Sequence, residues 1–260
     1  MLVSFIRTEL HRFGFQNGIL GLSGGLDSTV TAYLSARALG QKNVWALLMP
    51  FGKEFQQDVD DAHEVADGLG IQHQVIDIKP MIDAFYEACP TDERLLKGNK
   101  MARERMSILY DFSVRKKALI IGTSNKTELL LGYGTLHGDM ASALNPIGDL
   151  YKTQIRELAA HLGVPAKIIQ KAPTAGLWNG QTDEKELGMT YSDIDRVLYE
   201  LVDERRSPED LVLAGFEKKT VQRIGELIHN SEFKRKLPPI AKISNRTVGH
   251  DFLYPFDRGK

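Results

Sequence analysis

The order of apolar and polar positions divides the first half of the chain into short and long segments that alternate. Short apolar runs bounded by glycine or proline predict buried strands, whereas apolar positions that recur every three to four residues predict helices. The predicted strands are residues 18–22, 44–49, 74–78 and 118–122, and the predicted helices between them are residues 28–39, 58–69 and 99–116. This alternation favours an α/β fold, a doubly wound parallel sheet flanked by helices, in a single domain of residues 1–260.

The second half of the chain is less periodic and carries two long irregular segments. Residues 132–148 are rich in glycine and polar side chains, and residues 173–190 show no regular spacing of apolar positions. Long irregular segments within a compact fold are usually functional, so we expect both to border a binding site. Helical spacing is found in residues 1–15, 153–162, 192–204 and 220–230.

Composition and charge narrow the range of functions. The chain has 260 residues, of which 42% are apolar, and this fraction excludes intrinsic disorder. The 33 basic and 34 acidic residues give a net charge of −1, a balance that argues against nucleic acid as a partner. No apolar run approaches the roughly 18 residues of a membrane span, so we expect no membrane partner. The single cysteine, Cys89, excludes a disulfide framework and a cysteine-based zinc site and favours a reducing compartment, the cytoplasm.

The sharpest local motif is the hexapeptide SGGLDS, residues 23–28, between the first predicted strand and the helix that follows it. Its paired glycines allow a tight turn that directs N–H groups at an anion, and the helix start adds partial positive charge. Asp27 would repel a phosphate unless a cation such as Mg²⁺ bridges the two. The alternative is a plain strand-to-helix turn in which Asp27 or Ser28 caps the helix. Neither the GxxxxGK[ST] pattern nor the GxGxxG pattern is present.

This hexapeptide resembles the pyrophosphate loop of the N-type ATP pyrophosphatases. Members of that superfamily cleave ATP between the α- and β-phosphates and adenylate a substrate, and the loop alone does not choose among them. The resemblance implies a fold like that of the adenine nucleotide alpha hydrolases, with ATP bound beyond the carboxyl ends of the strands.

Three further motifs supply candidate contacts for ATP and for a metal ion. In GTSNKTE, Thr123 offers a hydroxyl to ATP and Glu128 offers a second carboxylate to the metal, with an ordinary helix start as the alternative. In NPIGDLYKT, Lys152 offers an ammonium group to phosphate oxygens, with a surface lysine as the alternative. In KAPTAGL, Thr174 is a candidate ATP contact.

Two positions are candidates for the acceptor side of the reaction. Arg103, in the motif GNKMARERM, is suited to clamp a phosphate through two parallel hydrogen bonds, with a solvated helix face as the alternative. Asp183 is a candidate for a residue of a mobile lid, with plain helix capping ahead of Glu186 as the alternative.

In this order, the motifs resemble those of ammonia-dependent NAD synthetases, from the first predicted strand to about Pro238. The resemblance implies that Asp27 and Glu128 bind Mg²⁺. It also implies that Arg103 and Lys234 contact the dinucleotide substrate, which lies at the interface of a homodimer. The ATP contacts that it implies are Gly21, Leu22, Ser23, Gly24, Gly25, Leu26, Asp27, Ser28, Thr123, Lys152 and Thr174.

The chain departs from the family pattern at two places. Many bacterial members have a lysine where this chain has Leu136, and a His-Lys pair where it has Phe233 and Lys234. These departures affect the dinucleotide side of the site and leave the ATP side unchanged.

The expected reaction is amidation of nicotinate adenine dinucleotide to NAD, driven by Mg-ATP through an acyl-adenylate, with release of AMP and pyrophosphate. We assign catalytic roles to Asp27, Lys152 and Asp183. We expect free ammonia as the donor, because glutamine hydrolysis needs a nucleophile in its own domain, and Cys89 is internal with no spare segment around it. The alternatives are another ATP pyrophosphatase with a different acceptor and a nucleotide sensor without activity.

Overall fold

Four parallel strands form a sheet within the part of the chain that the structure describes. The structure is a computed structural model, and it describes residues 1–53, 55–174, 176, 178 and 180–251. Ala175 and Leu177 of the KAPTAGL motif therefore lie outside the described residues. The strands β1 (Asn17–Gly21), β2 (Val44–Leu48), β3 (Gln72–Val75) and β4 (Ala118–Ile120) stand in the order β3-β2-β1-β4. The predicted parallel sheet is confirmed.

The described residues also form twelve α-helices, which cover the sheet and extend beyond it. They are α1 (Leu2–Arg12), α2 (Leu26–Leu39), α3 (Gln56–Leu69), α4 (Lys79–Ala88), α5 (Arg94–Lys116), α6 (Lys126–Leu131), α7 (Lys152–Leu162), α8 (Ala166–Ile169), α9 (Asp183–Leu187), α10 (Tyr191–Leu198), α11 (Pro208–Leu213) and α12 (Lys218–Asn230). No helix within the described ranges combines the length and the apolar character that a membrane span needs.

Alternate residues of the central strand β1 serve two separate cores. Ile19 packs with residues of α4 and α5, such as Ile82 and Leu109, on one face of the sheet. Leu20 packs on the opposite face with residues of α1, α2, α3 and α7, such as Val30 and Ile155. Successive side chains of a strand point to opposite faces, so a central strand that is apolar throughout requires cover on both sides. The doubly wound arrangement is confirmed.

A third apolar cluster joins α6 to the C-terminal helices. It is formed by Leu131 of α6, Ile194 of α10, Leu211 of α11 and Ile224 of α12. This cluster brings α10 against the start of α7, next to the ends of the strands. The C-terminal helices therefore support the region where ligands are expected.

Several predicted elements differ from the observed ones. The helix α5 begins at Arg94 instead of residue 99, and β4 ends at Ile120 instead of residue 122. The third strand spans Gln72–Val75 instead of residues 74–78, because Ile78 belongs to the turn before α4, where its N–H donates to the Pro50 carbonyl at 2.9 Å. The predicted helix 192–204 is α10 followed by a π-helical turn, Tyr199–Asp203. The helices α4, α8 and α11 were not predicted, and helix starts at α6 and α9 were considered only as alternatives. Except for α4, which has ten residues, these helices have six residues or fewer and offer few apolar repeats.

Candidate active site

A cavity of about 590 Å³ opens at the carboxyl ends of β1, β2 and β4. Ligands bind at this edge of an open parallel sheet, because the loops that follow the strands converge there. The phosphate loop (residues 23–28), the segments after β2 and β4, and α5 all contribute to its wall. Of the predicted ATP contacts, all except Gly24 line the cavity: Gly21, Leu22, Ser23, Gly25, Leu26, Asp27, Ser28, Thr123, Lys152 and Thr174.

The phosphate loop takes its shape from one left-handed glycine and two serines. Gly24 has a φ of +75°, and a Cβ there would lie 2.2 Å from the carbonyl oxygen of Asp58 in α3, so only glycine fits. The hydroxyls of Ser23 and Ser28 lie 3.0 Å apart, and the Gly25 N–H donates to Ser23 Oγ at 3.2 Å. The helix α2 begins within this segment, at Leu26, so its free N–H groups and partial positive charge lie at the cavity wall.

Two carboxylates share one ammonium group in the cavity wall. Lys152 Nζ pairs with Asp27 Oδ2 and lies 3.3 Å from Glu128 Oε1. Asn125 Nδ2 donates to the other oxygen of Asp27 at 3.0 Å. Asn125 and Glu128 also form the capping box that begins α6. The helix start considered as an alternative for this motif is therefore present, and the same side chains line the cavity.

Burial and charge set the protonation of this group. Burial raises the pKa of Glu128 to about 8, against the opposing effect of Lys152 and with a further contribution from Asp27. Burial lowers the pKa of an ammonium group, but the two carboxylates outweigh this effect and hold the pKa of Lys152 above its ordinary value.

The donor set fits a magnesium ion. Asp27 and Glu128 already flank one cation, Lys152, and carboxylate oxygens are the protein ligands that Mg²⁺ prefers. Across the described residues, no three Asp, Glu, His or Cys side chains form a cluster for a metal. Mg²⁺ usually binds through one or two carboxylates together with substrate phosphates, so two are sufficient.

Lys152 is placed by a buried network that the sequence did not reveal. Thr127 Oγ1 donates to Asp195 Oδ1 at 2.6 Å and accepts from the Lys152 N–H at 3.0 Å. The Thr153 N–H donates to the second oxygen of Asp195 at 2.8 Å. A carboxylate at a helix N-terminus satisfies free N–H groups and favours the helix dipole, so Asp195 of α10 fixes the start of α7.

Asp183 is buried in the cavity wall between two tyrosine hydroxyls. Tyr133 Oη lies 3.1 Å from Asp183 Oδ1 and 2.6 Å from Glu186 Oε2, and Tyr191 Oη donates to Asp183 Oδ2 at 3.0 Å. Desolvation and the nearby carboxylates raise the pKa of both tyrosines, so both hydroxyls stay protonated as donors. The helix α9 does begin at Asp183, but its N-cap residue is Thr182, so Asp183 is not the cap that the alternative supposed.

The two residues predicted for the dinucleotide lie in different surroundings. Lys234 lines the cavity and donates to the carbonyl oxygens of Gly132 and Gly134 at 2.7 and 2.8 Å. Arg103 is exposed, and its Nε donates to the Leu136 carbonyl at 3.1 Å. Of these two residues, only Lys234 belongs to the described residues that line the cavity.

Sequence reasoning missed two cations of the cavity wall. Arg105, two positions after Arg103, faces another side of α5, lines the cavity and donates through Nε to the Met49 carbonyl at 2.9 Å. Burial lowers the pKa of Arg105 to about 10, with Asp139 opposing the effect. Lys171 also lines the cavity, although it opens a motif in which only Thr174 was chosen. The helical spacing of the two arginines was the available signal, because residues two apart cannot face the same side.

Comparison with known proteins gives relatives along almost the whole chain. The family model NAD synthase matches residues 1–238. The NH(3)-dependent NAD(+) synthetase of Trichlorobacter lovleyi is 51% identical over 260 residues, which span 100% of this chain and 95% of that protein.

Solved structures agree with this match. The NMN synthetase of Francisella tularensis is 36% identical with a TM-score of 0.82, over 92% of this chain and 95% of that one. The NH3-dependent NAD synthetase of Campylobacter jejuni is 36% identical with a TM-score of 0.80, over 93% of this chain and 96% of that one. The fold is thus the adenine nucleotide alpha hydrolase-like fold expected from the phosphate loop. The match to the family model over residues 1–238 and the identity to its relatives show that this chain belongs to the NAD synthase family.

Proposed function

We propose that this chain uses ATP and ammonia to convert nicotinate adenine dinucleotide into NAD, with release of AMP and pyrophosphate. The observation that carries the proposal is the convergence of the phosphate loop, Lys152 and two carboxylates in the cavity of a NAD synthase family member. The near full-length similarity to an NH(3)-dependent NAD(+) synthetase supports ammonia as the nitrogen donor.

ATP is needed because a carboxylate is a poor electrophile. In the first step, a carboxylate oxygen of the nicotinate ring attacks the α-phosphorus of ATP, and the bond to the pyrophosphate breaks. In the second step, ammonia attacks the carbonyl carbon of the acyl-adenylate, AMP leaves with the bonding electrons, and the nitrogen loses a proton. When ammonia attacks the acyl-adenylate, AMP is therefore the leaving group. Attack on the free carboxylate would require oxide to leave, which is a much poorer leaving group.

The phosphate loop and Lys152 act on the departing pyrophosphate in this proposal. The N–H groups at the start of α2 and the ammonium group of Lys152 stabilise negative charge as it develops. Thr123 and Thr174 add hydroxyl donors at the cavity wall. This step needs little proton transfer from side chains, because holding the two substrates in line supplies much of the rate.

Asp27 and Glu128 are the residues that would hold Mg²⁺. When bound, the ion neutralises phosphate charge and lets a carboxylate lie beside ATP. Without that neutralisation, Asp27 in the phosphate loop would repel the triphosphate.

The acceptor side of the site involves Lys234, Arg103 and Asp183. Lys234 offers positive charge to the dinucleotide inside the cavity. Asp183 is held by Tyr133 and Tyr191, and the ring of Tyr191 lies 5.3 Å from Lys152 Nζ, so we place Asp183 beside the position of ammonia. Because Arg103 lies outside the wall of its own cavity, we place its substrate contact across a subunit interface.

The proposed assembly is a homodimer in the cytoplasm, with residues 1–260 of each copy forming one domain. The long helix α5 supports the dimer, because Leu96, Tyr110 and Val114 on it are 48%, 47% and 79% exposed. Exposed apolar side chains on one helix are typical of an interface. The single cysteine, Cys89, is free and exposed, in keeping with a reducing compartment.

A product assay tests the proposed function. Purified protein receives nicotinate adenine dinucleotide, Mg-ATP and either ammonium or glutamine, and NAD, AMP and pyrophosphate are quantified. The expected result is NAD and AMP in equal amounts with ammonium and none with glutamine. AMP and pyrophosphate without NAD would point to another acceptor, and no consumption of ATP by folded protein would contradict the proposal.

A second acceptor is favoured by one observation, the similarity to a structure described as an NMN synthetase. That enzyme's name indicates a mononucleotide product, so nicotinate mononucleotide belongs in the same assay. The two acceptors are compared by kcat/KM at saturating ATP and ammonium. A higher value for the mononucleotide would replace the dinucleotide in the proposal and leave the adenylation chemistry unchanged.

A further inference from the structure

Lys171 joins three separate segments beside the phosphate loop. Its Nζ lies 2.5 Å from Asp58 Oδ1 and 2.8 Å from Asp61 Oδ2, both in α3. The same ammonium group lies 3.3 Å from the carbonyl oxygen of Gly24 in the phosphate loop. Lys171 itself follows α8 and precedes Thr174, a predicted ATP contact. One side chain thus connects α3, the phosphate loop and the segment after α8.

The carboxylate that anchors this contact, Asp61, is buried and accepts several hydrogen bonds. Asp61 is only 4% exposed, and its oxygens also accept from Lys167 and Gln57 at 2.8 and 3.1 Å. Burial alone would raise the pKa of Asp61, but the bonds from Lys167, Lys171 and Gln57 outweigh burial and leave it below its ordinary value. The carboxylate therefore stays charged at neutral pH and holds Lys171 in place.

The contact also meets an electrostatic need of the site. Asp58 lines the cavity, and α3 approaches the loop so closely that a Cβ on Gly24 would meet the Asp58 backbone. A triphosphate bound by the loop would lie near two carboxylates of α3, and like charges at such distances repel. An ammonium group between those carboxylates and the loop removes the repulsion.

Lys171 further sets the orientation of one peptide group. The carbonyl and the following N–H of a trans peptide point in opposite directions. By holding the Gly24 carbonyl on the side of α3, Lys171 keeps the Gly25 N–H on the other side, where it now donates to Ser23 Oγ in the cavity wall. A loop that binds anions through its N–H groups depends on such orientation.

We propose that Lys171 is a positioning residue for the phosphate loop: it neutralises Asp58 and Asp61 and holds the Gly24 carbonyl, so that the loop presents its N–H groups to the phosphates of ATP. The inference rests on the proposed function only in naming ATP as the nucleotide. Lys171 need not touch the reacting atoms to act in this way.

Lys167 provides a matched control in the same chain. Its Nζ lies 2.8 Å from Asp61 Oδ1 and 2.7 Å from Glu64 Oε2, so it neutralises the same buried carboxylate. It has no recorded bond to the phosphate loop or to Asp58 among the described residues, and it is absent from the cavity wall. A role limited to neutralising α3 would make the two lysines equivalent, whereas a role in the loop belongs to Lys171 alone.

The experiment measures binding of α,β-methylene-ATP with Mg²⁺ by calorimetry, together with the melting temperature of each variant. Lys171→Met is expected to weaken binding about tenfold or more, the effect of losing one charged hydrogen bond. Lys167→Met is expected to bind within about twofold of the unmodified protein, and Lys171→Arg to recover most of the affinity. If Lys171→Met does not fold, Lys171→Gln takes its place with the same expected direction.

Unchanged binding in Lys171→Met, or equal losses in the two methionine variants, would overturn the inference. In steady-state assays, the KM for ATP is expected to rise in Lys171→Met while the KM for the dinucleotide stays constant, and a rise in both would also overturn it. The binding arm needs no acceptor, so a difference between the two lysines would stand even if the product assay failed.

Discussion

At the residue scale, Lys152 balances the charge of two carboxylates of the cavity wall. It lies between Asp27 and Glu128, and its backbone is fixed by Thr127 and Asp195. A buried charge is tolerated only when it is paired and its neighbours are satisfied, and these contacts meet both conditions. Lys152, which acts on the phosphates in our proposal, is thus held both at its ammonium group and at its backbone N–H.

Asp27→Asn is expected to lower the rate of AMP formation by about 100-fold or more, because the variant loses the carboxylate of the proposed metal site. Asparagine keeps the shape of aspartate, and Lys152 keeps Glu128 as a partner, so the fold is expected to persist. The measurement is the rate of AMP release in Mg-ATP, with circular dichroism as the check on folding.

Asp149→Asn is the control for this variant, since the Asp149 side chain is 97% exposed and is not among the described residues that line the candidate active site. It should retain the rate of the unmodified protein. Normal turnover by Asp27→Asn would contradict the metal assignment.

At the element scale, the close approach of α3 to the phosphate loop is the decisive contact. The start of α3 leaves no space for a side chain on Gly24, and the loop in turn sets where α2 begins. The position of α3 therefore affects the N–H groups at the start of α2 through the phosphate loop.

Gly24→Ala is expected to abolish measurable binding of α,β-methylene-ATP, because its Cβ would lie 2.2 Å from the Asp58 carbonyl and its φ of +75° disfavours alanine. Gly163→Ala is the matched control, with a φ of +82° and open space around the added methyl group. Backbone strain should cost each variant about 1–2 kcal/mol of stability. The clash with Asp58 adds to this cost in Gly24→Ala, and only that variant should lose nucleotide affinity. Equal affinity in the two would show that loop shape does not control binding.

At the scale of the whole molecule, the parallel sheet places all the predicted ATP contacts at one edge, and α5 connects that edge to the surface. Residues of α5 such as Asn99 and Arg105 line the cavity, while Val114 of the same helix is exposed. An interface on α5 would therefore lie close to the acceptor side of the site.

Val114→Asp is expected to raise the dissociation constant of the proposed dimer by about tenfold or more, since it would bury a charge in an apolar interface. Val212→Asp, at a 37% exposed position on α11, should leave the dimer unchanged. Sedimentation velocity over a range of concentrations gives both constants. A monomer at every concentration in the unmodified protein would rule out the homodimer.

The sequence predicted those parts of the fold and site that depend on local pattern. The parallel sheet and its two covered faces followed from the alternation of apolar runs, and the position of the tight loop at residues 23–28 followed from its glycines. The strand order β3-β2-β1-β4 did not follow from the sequence. The predicted bounds of the edge strand β3 lay too far along the chain, because Ile78 is buried in a turn. The pattern of apolar residues cannot distinguish a buried turn residue from a strand residue.

What the sequence could not predict depends on contacts between distant segments. Asp195 and Lys171 lie 42 and 110 residues from the groups that they hold, Thr153 and Asp61, and nothing in their local sequence marks them. Which side of α5 faces the cavity also depends on tertiary packing. That packing places Arg105 in the cavity wall and leaves Arg103 outside it.

The central claim is that ATP activates the acceptor carboxylate as an acyl-adenylate, and isotope transfer tests it most directly. Nicotinate adenine dinucleotide labelled with ¹⁸O in the carboxylate is converted with Mg-ATP and ammonium, and the products are weighed by mass spectrometry. The account predicts one ¹⁸O atom in each AMP and one in the amide of NAD. Unlabelled AMP, or the formation of ADP together with labelled inorganic phosphate, would contradict it.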